Sequence, residues 1–281
     1  MPSRILIVGC GYVGLPLAVR LLQQCHQVTG WVHSESSAAV LQSHPFHHII
    51  VGSVANAELW ASLSEKYDTV IHCASSGRGG AEAYQEVFLQ GVQMINLHQS
   101  TARRLIVSST SVYGQTSGEI VTEESPAEPS TETGRILRQA EIATLASGAI
   151  VLRSSGIYGP GRSILWEKFR RYEAIIEGDG LRWINQIHRT DLVAALLHLI
   201  ERGTSGEIYN ASDDTPVTQL DFYRWCAEYL QKPLPPFGPV NLNRKRGLTN
   251  KRVSNAKLRA SGWIPEYSSF REGLTNDDQE V

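Results

Sequence analysis

The chain has 281 residues, 42% of them hydrophobic and 19% charged, enough apolar material for one large packed domain or two small ones. A net charge of −2 gives no strongly basic surface, which argues against nucleic acid or a membrane as the main partner. Cys10, Cys25, Cys73 and Cys226 are scattered without a CxxC or Cys/His spacing, so neither a disulfide framework nor a bound metal is expected. The opening apolar run is too short for a secretory segment and no later run reaches membrane-spanning length, so a cytoplasmic location is expected.

Residues 5–8 read Ile-Leu-Ile-Val, a buried strand, and lead through Gly9-Cys10-Gly11-Tyr12-Val13-Gly14 into a helical pattern over 15–24. In such a strand–turn–helix the first glycine allows the tight turn, the second lets the backbone approach a pyrophosphate, and the third lets helix and strand lie close. The N–H groups at the helix start, with a dipole worth roughly half a positive charge, face the anion. Pro16 is compatible, because an N–H in the first turn has no helical partner to lose. These six residues are the expected seat of a dinucleotide.

Further apolar runs at 28–32, 48–51, 69–73, 104–108 and 149–153 alternate with helical patterns at 36–42, 56–64, 81–99 and 133–146. That alternation predicts a doubly wound α/β fold with a parallel sheet. Ligands bind such sheets beyond the carboxyl ends of the strands. The loops after Val8, Val32, Cys73, Ser108 and Arg153 are therefore expected to line the site, with Ala74, Ser75, Ser108, Ser154 and Ile157 against the cofactor. At the end of the second strand the run is Gly30-Trp31-Val32-His33-Ser34-Glu35. No acid stands at Val32 to hold a ribose, and His33 and Ser34 can donate to a 2′-phosphate, so NADP is preferred over NAD. Glu35 is the competitor, one turn away.

Beyond residue 162 the pattern loosens into a polar start and apolar helix at 187–200, a strand at 207–210 and a helix at 220–230. Residues 232–239, Lys-Pro-Leu-Pro-Pro-Phe-Gly-Pro, exclude helix and interior strand and read as a surface connector. After it Arg244, Lys245, Arg246, Lys251, Arg252, Lys257 and Arg259 form the one strongly basic stretch. It is either a solvated tail or a clamp on a substrate phosphate or carboxylate. Arg78, set among the glycines of 77–80, is either a solvated loop charge or a ligand for an anion.

Four segments, Gly9 to Gly14, Val107-Ser108-Ser109-Thr110-Ser111-Val112-Tyr113-Gly114, 153–161 and Ile187-His188-Arg189-Thr190-Asp191-Leu192, occur in the order seen in extended short-chain dehydrogenase/reductases. The chain thus resembles the NAD-dependent epimerase/dehydratase family, many of whose members act on nucleotide sugars. The resemblance implies a Rossmann core (1–162 and 187–212) with a smaller carboxy-terminal substrate lobe (163–186 and 213–281). It implies that Ser109 orients the reacting oxygen; a hydroxyl bonding its own backbone is the structural alternative. It also implies a homodimer through the helices at 81–99 and 133–146.

The family's catalytic Tyr and Lys sit one helical turn apart, the Lys lowering the Tyr pKa so that the phenol moves the proton accompanying hydride transfer. Alignment on Ala140-Glu141 puts Thr133 and Leu137 in those places. No lysine in the chain lies four positions after a tyrosine, so a slip of register does not restore the pair. The chain resembles atypical members that lack it. Tyr113, Tyr158 and His188 are the candidates for a displaced proton donor, and Asp191 is expected to cap a helix. Ser53 and Val54 stand where relatives carry an acid for the adenine. Arg78, Tyr158, Arg162 and Arg189 are the expected substrate contacts. The expectation is an NAD(P)-dependent oxidoreductase, epimerase or dehydratase acting on a nucleotide sugar or similar polar small molecule; the alternative is a non-catalytic NAD(P)-binding sensor or scaffold.

Overall fold

The computed structural model describes residues 2–77, 79–242 and 248–279. The first half alternates as β1 (Arg4–Val8), α1 (Gly14–Gln23), β2 (Gln27–Val32), α2 (Glu35–Leu41), β3 (His48–Val51), α3 (Ala57–Ser62), β4 (Thr69–His72), α4 (Ala81–Tyr84), α5 (Gly91–His98) and β5 (Arg103–Ser109). It continues with β6 (Glu119–Val121), α6 (Glu132–Ala146), β7 (Ile150–Ser154) and β8 (Gly156–Tyr158). The second half holds α7 (Ile164–Arg170), β9 (Ile176–Glu177), β10 (Trp183–Ile184), β11 (Gln186–His188), α8 (Arg189–Arg202), β12 (Ile208–Ala211) and β13 (Val217–Thr218). The chain then runs through α9 (Gln219–Leu230), β14 (Phe237–Gly238), β15 (Lys251–Val253), α10 (Ala256–Ala260) and α11 (Phe270–Gln279).

Seven strands form one parallel sheet in the order β12-β7-β5-β4-β1-β2-β3. This is the doubly wound Rossmann-type α/β architecture that the alternation of elements predicts. The order reverses between β1 and β4, which opens a crevice at their carboxyl ends. Alternation along β1 sends Ile5 and Ile7 into one apolar layer with α1 and α8, and Leu6 and Val8 into the other with α5 and α6. A third cluster, including Trp166, Phe169, Ile176, Phe222 and Phe270, fills the carboxy-terminal lobe. Among the described residues no helix is long and apolar enough to cross a membrane.

Three expectations are adjusted. The helix expected over 81–99 is broken by a π-helical turn at Gln85–Gln90, where the buried His72 donates from Nε2 to the Val87 carbonyl at 2.9 Å. That carbonyl then has a partner outside the helix. Residues 232–239 are not wholly a connector, since Phe237–Gly238 adds a short strand beside Ile176–Glu177. The segment around 253–263, expected in the lobe, instead packs Val253, Leu258 and Trp263 against the two layers of the Rossmann core.

The polar centre of the core is Arg153 on β7, about 1% exposed. Its guanidinium makes two parallel hydrogen bonds to the Glu141 carboxylate, 2.9 and 2.7 Å, and a third to the Tyr113 phenol at 2.8 Å. That phenol donates to Asn210 Oδ1 at 2.9 Å, and Ser108 donates to Glu141 at 2.6 Å. The network ties α6 and β12 to the ends of β5 and β7. Without Arg153, Glu141 keeps among the described residues the partly exposed Arg138, 2.9 Å away, and the Ser108 hydroxyl, so Arg153→Met is expected to cost about 3 kcal/mol, the lower end for a broken buried pair. The double variant with Glu141→Met recovers most of it; a chemical denaturation midpoint for the single variant equal to that of wild type contradicts this account.

Candidate functional site

The loop after β1 is shaped by three contacts. Gly9 has φ +95° and lies so close to Ala74 that a Cβ would collide with its backbone; a Cβ on Gly14 would strike the Gly9 carbonyl. A Cβ on Gly11, in contrast, would meet open space. Gly9 and Gly14 are thus steric necessities of the fold, and Gly11 is free to let something approach. The Gly9 and Cys10 amides donate to Trp31 O and the Gly11 amide to Gly9 O. Among the described residues the Tyr12 and Val13 amides make no backbone hydrogen bond, and Val13, the N-cap of α1, supplies no side-chain cap. Unpaired amides at a helix start over open space fit a pyrophosphate. Cys10 contributes backbone only: its thiol is buried, bonds Ile7 O and is pushed up to about 12 by burial.

Where the adenosine half of a dinucleotide would lie, over β2 and β3, Val32 is buried and His33 and Glu35 are exposed. Ser34 caps α2 by accepting from the Ser37 amide, and its hydroxyl lies 3.0 and 3.1 Å from those of Ser36 and Ser37. Ser53 donates to the Glu86 carboxylate and accepts from the Ala55 amide. A carboxylate from the π-helical turn, Glu86, thus stands beside position 53, and nothing local in the sequence signals it. Ala74 lies against Gly9, Ser75 accepts from the Gly77 amide, and Ser154 is buried and donates to Ser155 O. Ile157 on β8 pairs with Ile187 on β11.

Over the other half, Ser109 ends β5 and its side chain accepts from the Ser111 amide at 3.2 Å, leaving its own proton to donate. Thr133 is half-buried on α6, while Leu137 is buried in the second apolar layer; neither can titrate. Tyr113 is fully buried, its phenol committed to Arg153 and Asn210 and raised chiefly by burial. His188 caps α8, accepting at Nδ1 from the Thr190 amide, while Nε2 faces Asp277 at 3.3 Å. Burial lowers its pKa. Both nitrogens are engaged, which sets His188 in a packing role between Tyr158 and Tyr267. Asp191 is not the cap: it sits beyond it and accepts from the Glu266 and Tyr267 amides.

The expected substrate contacts separate. Tyr158 is buried in the lobe's apolar cluster, its phenol turned to Ser269 O. Arg162 and Arg189 lie over the Tyr12 ring, 5.1 and 4.8 Å from its centroid, so both guanidinium groups stand at the glycine loop rather than with Tyr158. Arg78, Arg244, Lys245 and Arg246 lie outside the described residues. Of the remaining basic stretch, Lys257 pairs with Glu207 and Arg259 with Asp214, while Arg252 stacks on Trp183. Lys251 is the exception. It is about 5% exposed, and its ammonium donates to Tyr113 O at 3.0 Å and to the Thr249 hydroxyl at 2.9 Å.

Burial first, and the Arg182 charge second, pull Lys251 down to about 8. An unfolded lysine holds its proton to about pH 10.4, so the unfolded chain binds more protons between the two values. The buried ammonium therefore weighs against folding below about pH 8, and that penalty is relieved as pH rises towards 10.4. Wild type is expected to gain stability relative to Lys251→Met across that window; parallel stability curves contradict it. For the loop, Gly11→Ala is expected to melt as wild type yet bind NADPH about tenfold or more weakly, the new methyl standing where backbone and phosphate must meet. Unchanged affinity removes Gly11 from the site.

A family model for the NAD dependent epimerase/dehydratase family matches residues 5–212. Protein YeeZ of Escherichia coli (strain K12) is 28% identical over 264 residues, covering 90% of this chain and 93% of that protein. A structure from Methylobacillus flagellatus, provisionally called an NAD-dependent epimerase/dehydratase, superposes with a TM-score of 0.80 at 28% identity over 100% of this chain and 99% of the other. The dTDP-glucose 4,6-dehydratase of Bacillus anthracis, solved in complex with NAD, shares the fold with a TM-score of 0.82 at 19% identity, covering 99% and 96% of the two chains. With the glycine loop, the sheet order and a match across most of the Rossmann core, the chain belongs to the NAD-dependent epimerase/dehydratase family.

Proposed function

We propose that this protein is an NAD(P)-linked oxidoreductase of the epimerase/dehydratase kind that acts on a nucleotide sugar or a similar polar metabolite, with a proton route that does not use α6. The observation that carries the reading is the open space over Gly11 beside the unpaired Tyr12 and Val13 amides. These amides and Gly11 would hold the pyrophosphate, and the loops after β4 and β5 would then receive the other half of the dinucleotide. Bound there, the nicotinamide supplies or accepts the hydride. Ser109, at the end of β5 with its proton free to donate, holds the reacting oxygen. Arg162 and Arg189, stacked on Tyr12, add positive charge over the phosphates.

NADP is preferred in this reading. The end of β2 offers a neutral Val32, an exposed His33 and the grouped hydroxyls of Ser34, Ser36 and Ser37, all suited to a 2′-phosphate, against the single exposed Glu35. One observation favours the second reading, a non-catalytic NAD(P)-binding protein: Leu137 is sealed in the core, and Tyr113 and His188 are both fully engaged. Isothermal titration is expected to show NADPH binding at least severalfold more tightly than NADH; the reverse order refutes the preference. Ser109→Ala is expected to lower turnover about tenfold or more without altering nucleotide affinity. NADPH whose absorbance never changes under any metabolite mixture supports the non-catalytic reading instead.

A further inference from the structure

Arg182 and Lys251 are an unusual pair. They flank a hydrogen bond between the Trp183 amide and Asn250 Oδ1, 2.9 Å, where β10 meets β15. Among the described residues the Lys251 ammonium is held by a carbonyl and a hydroxyl. Arg182 is half-buried, its Nε has no acceptor, and burial lowers its pKa. Among the described residues neither cation has a carboxylate partner, and the two repel each other. The neighbouring charges do not help. Exposed Glu119 accepts from the Ser117 amide, Glu123 is engaged by the Asn210 amide, and Arg252 adds a further positive charge while donating to Gly118 O. Tyr223, beside Arg182, is pushed up to about 12 by burial and stays neutral.

Burying a cation without an anion is costly, and burying two of like sign side by side is costlier. The position gives the arrangement a use. Tyr113, whose carbonyl receives the Lys251 ammonium, closes the short turn that begins at Ser109. Lys251 is thus tied to the segment that follows β5, with Arg182 near enough for the two charges to repel. The buried Gln115 Oε1 on the same segment has no donor, which suits a ligand that also carries hydroxyls.

We propose that Arg182 and Lys251 together bind an anionic oxygen group of the substrate, a carboxylate or a phosphate, at the β5 end of the cleft. The proposal rests on the reading of this cleft as a substrate site and narrows its occupant to a hydroxylated acid.

The test is calorimetric titration of the NADPH-saturated protein with inorganic phosphate and, separately, with glucuronate, with glucose as the neutral control. One of the two acids is expected to bind and glucose is not; which acid binds decides between phosphate and carboxylate. Lys251→Met and Arg182→Gln are each expected to weaken that binding at least tenfold. Between about pH 7 and about pH 9 wild-type affinity should fall about tenfold as Lys251 loses its proton, whereas Lys251→Arg should hold its affinity. If Lys251→Met does not fold, Arg182→Gln and the pH profile decide. Failure of both acids to bind, or variants that bind as wild type does, overturns the proposal. Failure of NADPH to bind at the outset sinks the dinucleotide reading instead.

Discussion

The backbone contact between Gly9 and Gly14 is the constraint on which the rest of the site depends. With no side chain at either position, the first helix lies directly against the turn that leaves the first strand, and its start points into the crevice where the sheet order reverses. Two amides and the helix dipole are thereby aimed at one place. The loop after β4 is fixed by the same contact, because Ala74 fills the space a side chain on Gly9 would need. The proposed dinucleotide seat is thus a backbone feature, and it makes little use of titratable groups.

The opposite half of the cleft has a different character. There the polar side chains are used to lock the architecture: Glu141 and Arg153 hold α6 against β7, and the Tyr113 phenol joins them to Asn210 on β12. A tyrosine held between a guanidinium and an amide, with its pKa raised by burial, is a poor proton donor at neutral pH. The histidine that caps α8 is spent in the same way. The Ser109 hydroxyl keeps a proton to donate, and among the described residues Lys251 and Arg182 have no carboxylate partner; on these the proposed substrate site rests.

How legible this was from sequence depends on how local each interaction is. The strand, glycine loop and first helix were readable because their physics lies within about twenty residues. That Thr133 and Leu137 would share one turn of α6 was readable because it concerns a single helix. The π-helical turn was not, because its cause, His72, lies on another strand. The Glu86 carboxylate beside Ser53 was hidden because it is brought there from more than thirty residues away. Lys251 was grouped with six other basic residues as one stretch; only the pairing of β15 with β6, across more than a hundred residues, separates it from neighbours that make surface ion pairs. His188 took the capping part expected of Asp191, which instead accepts from the Glu266 and Tyr267 amides, since a helix cap and a partner for a distant loop look alike without the fold around them.

The most direct measurement is a crystal structure of the protein grown with NADPH. The account predicts pyrophosphate oxygens about 3 Å from the Tyr12 and Val13 amides, with the backbone of Gly11 in contact beneath them. Density for the nucleotide in any other part of the molecule, or a loop after β1 that stays empty at saturating NADPH, would contradict it.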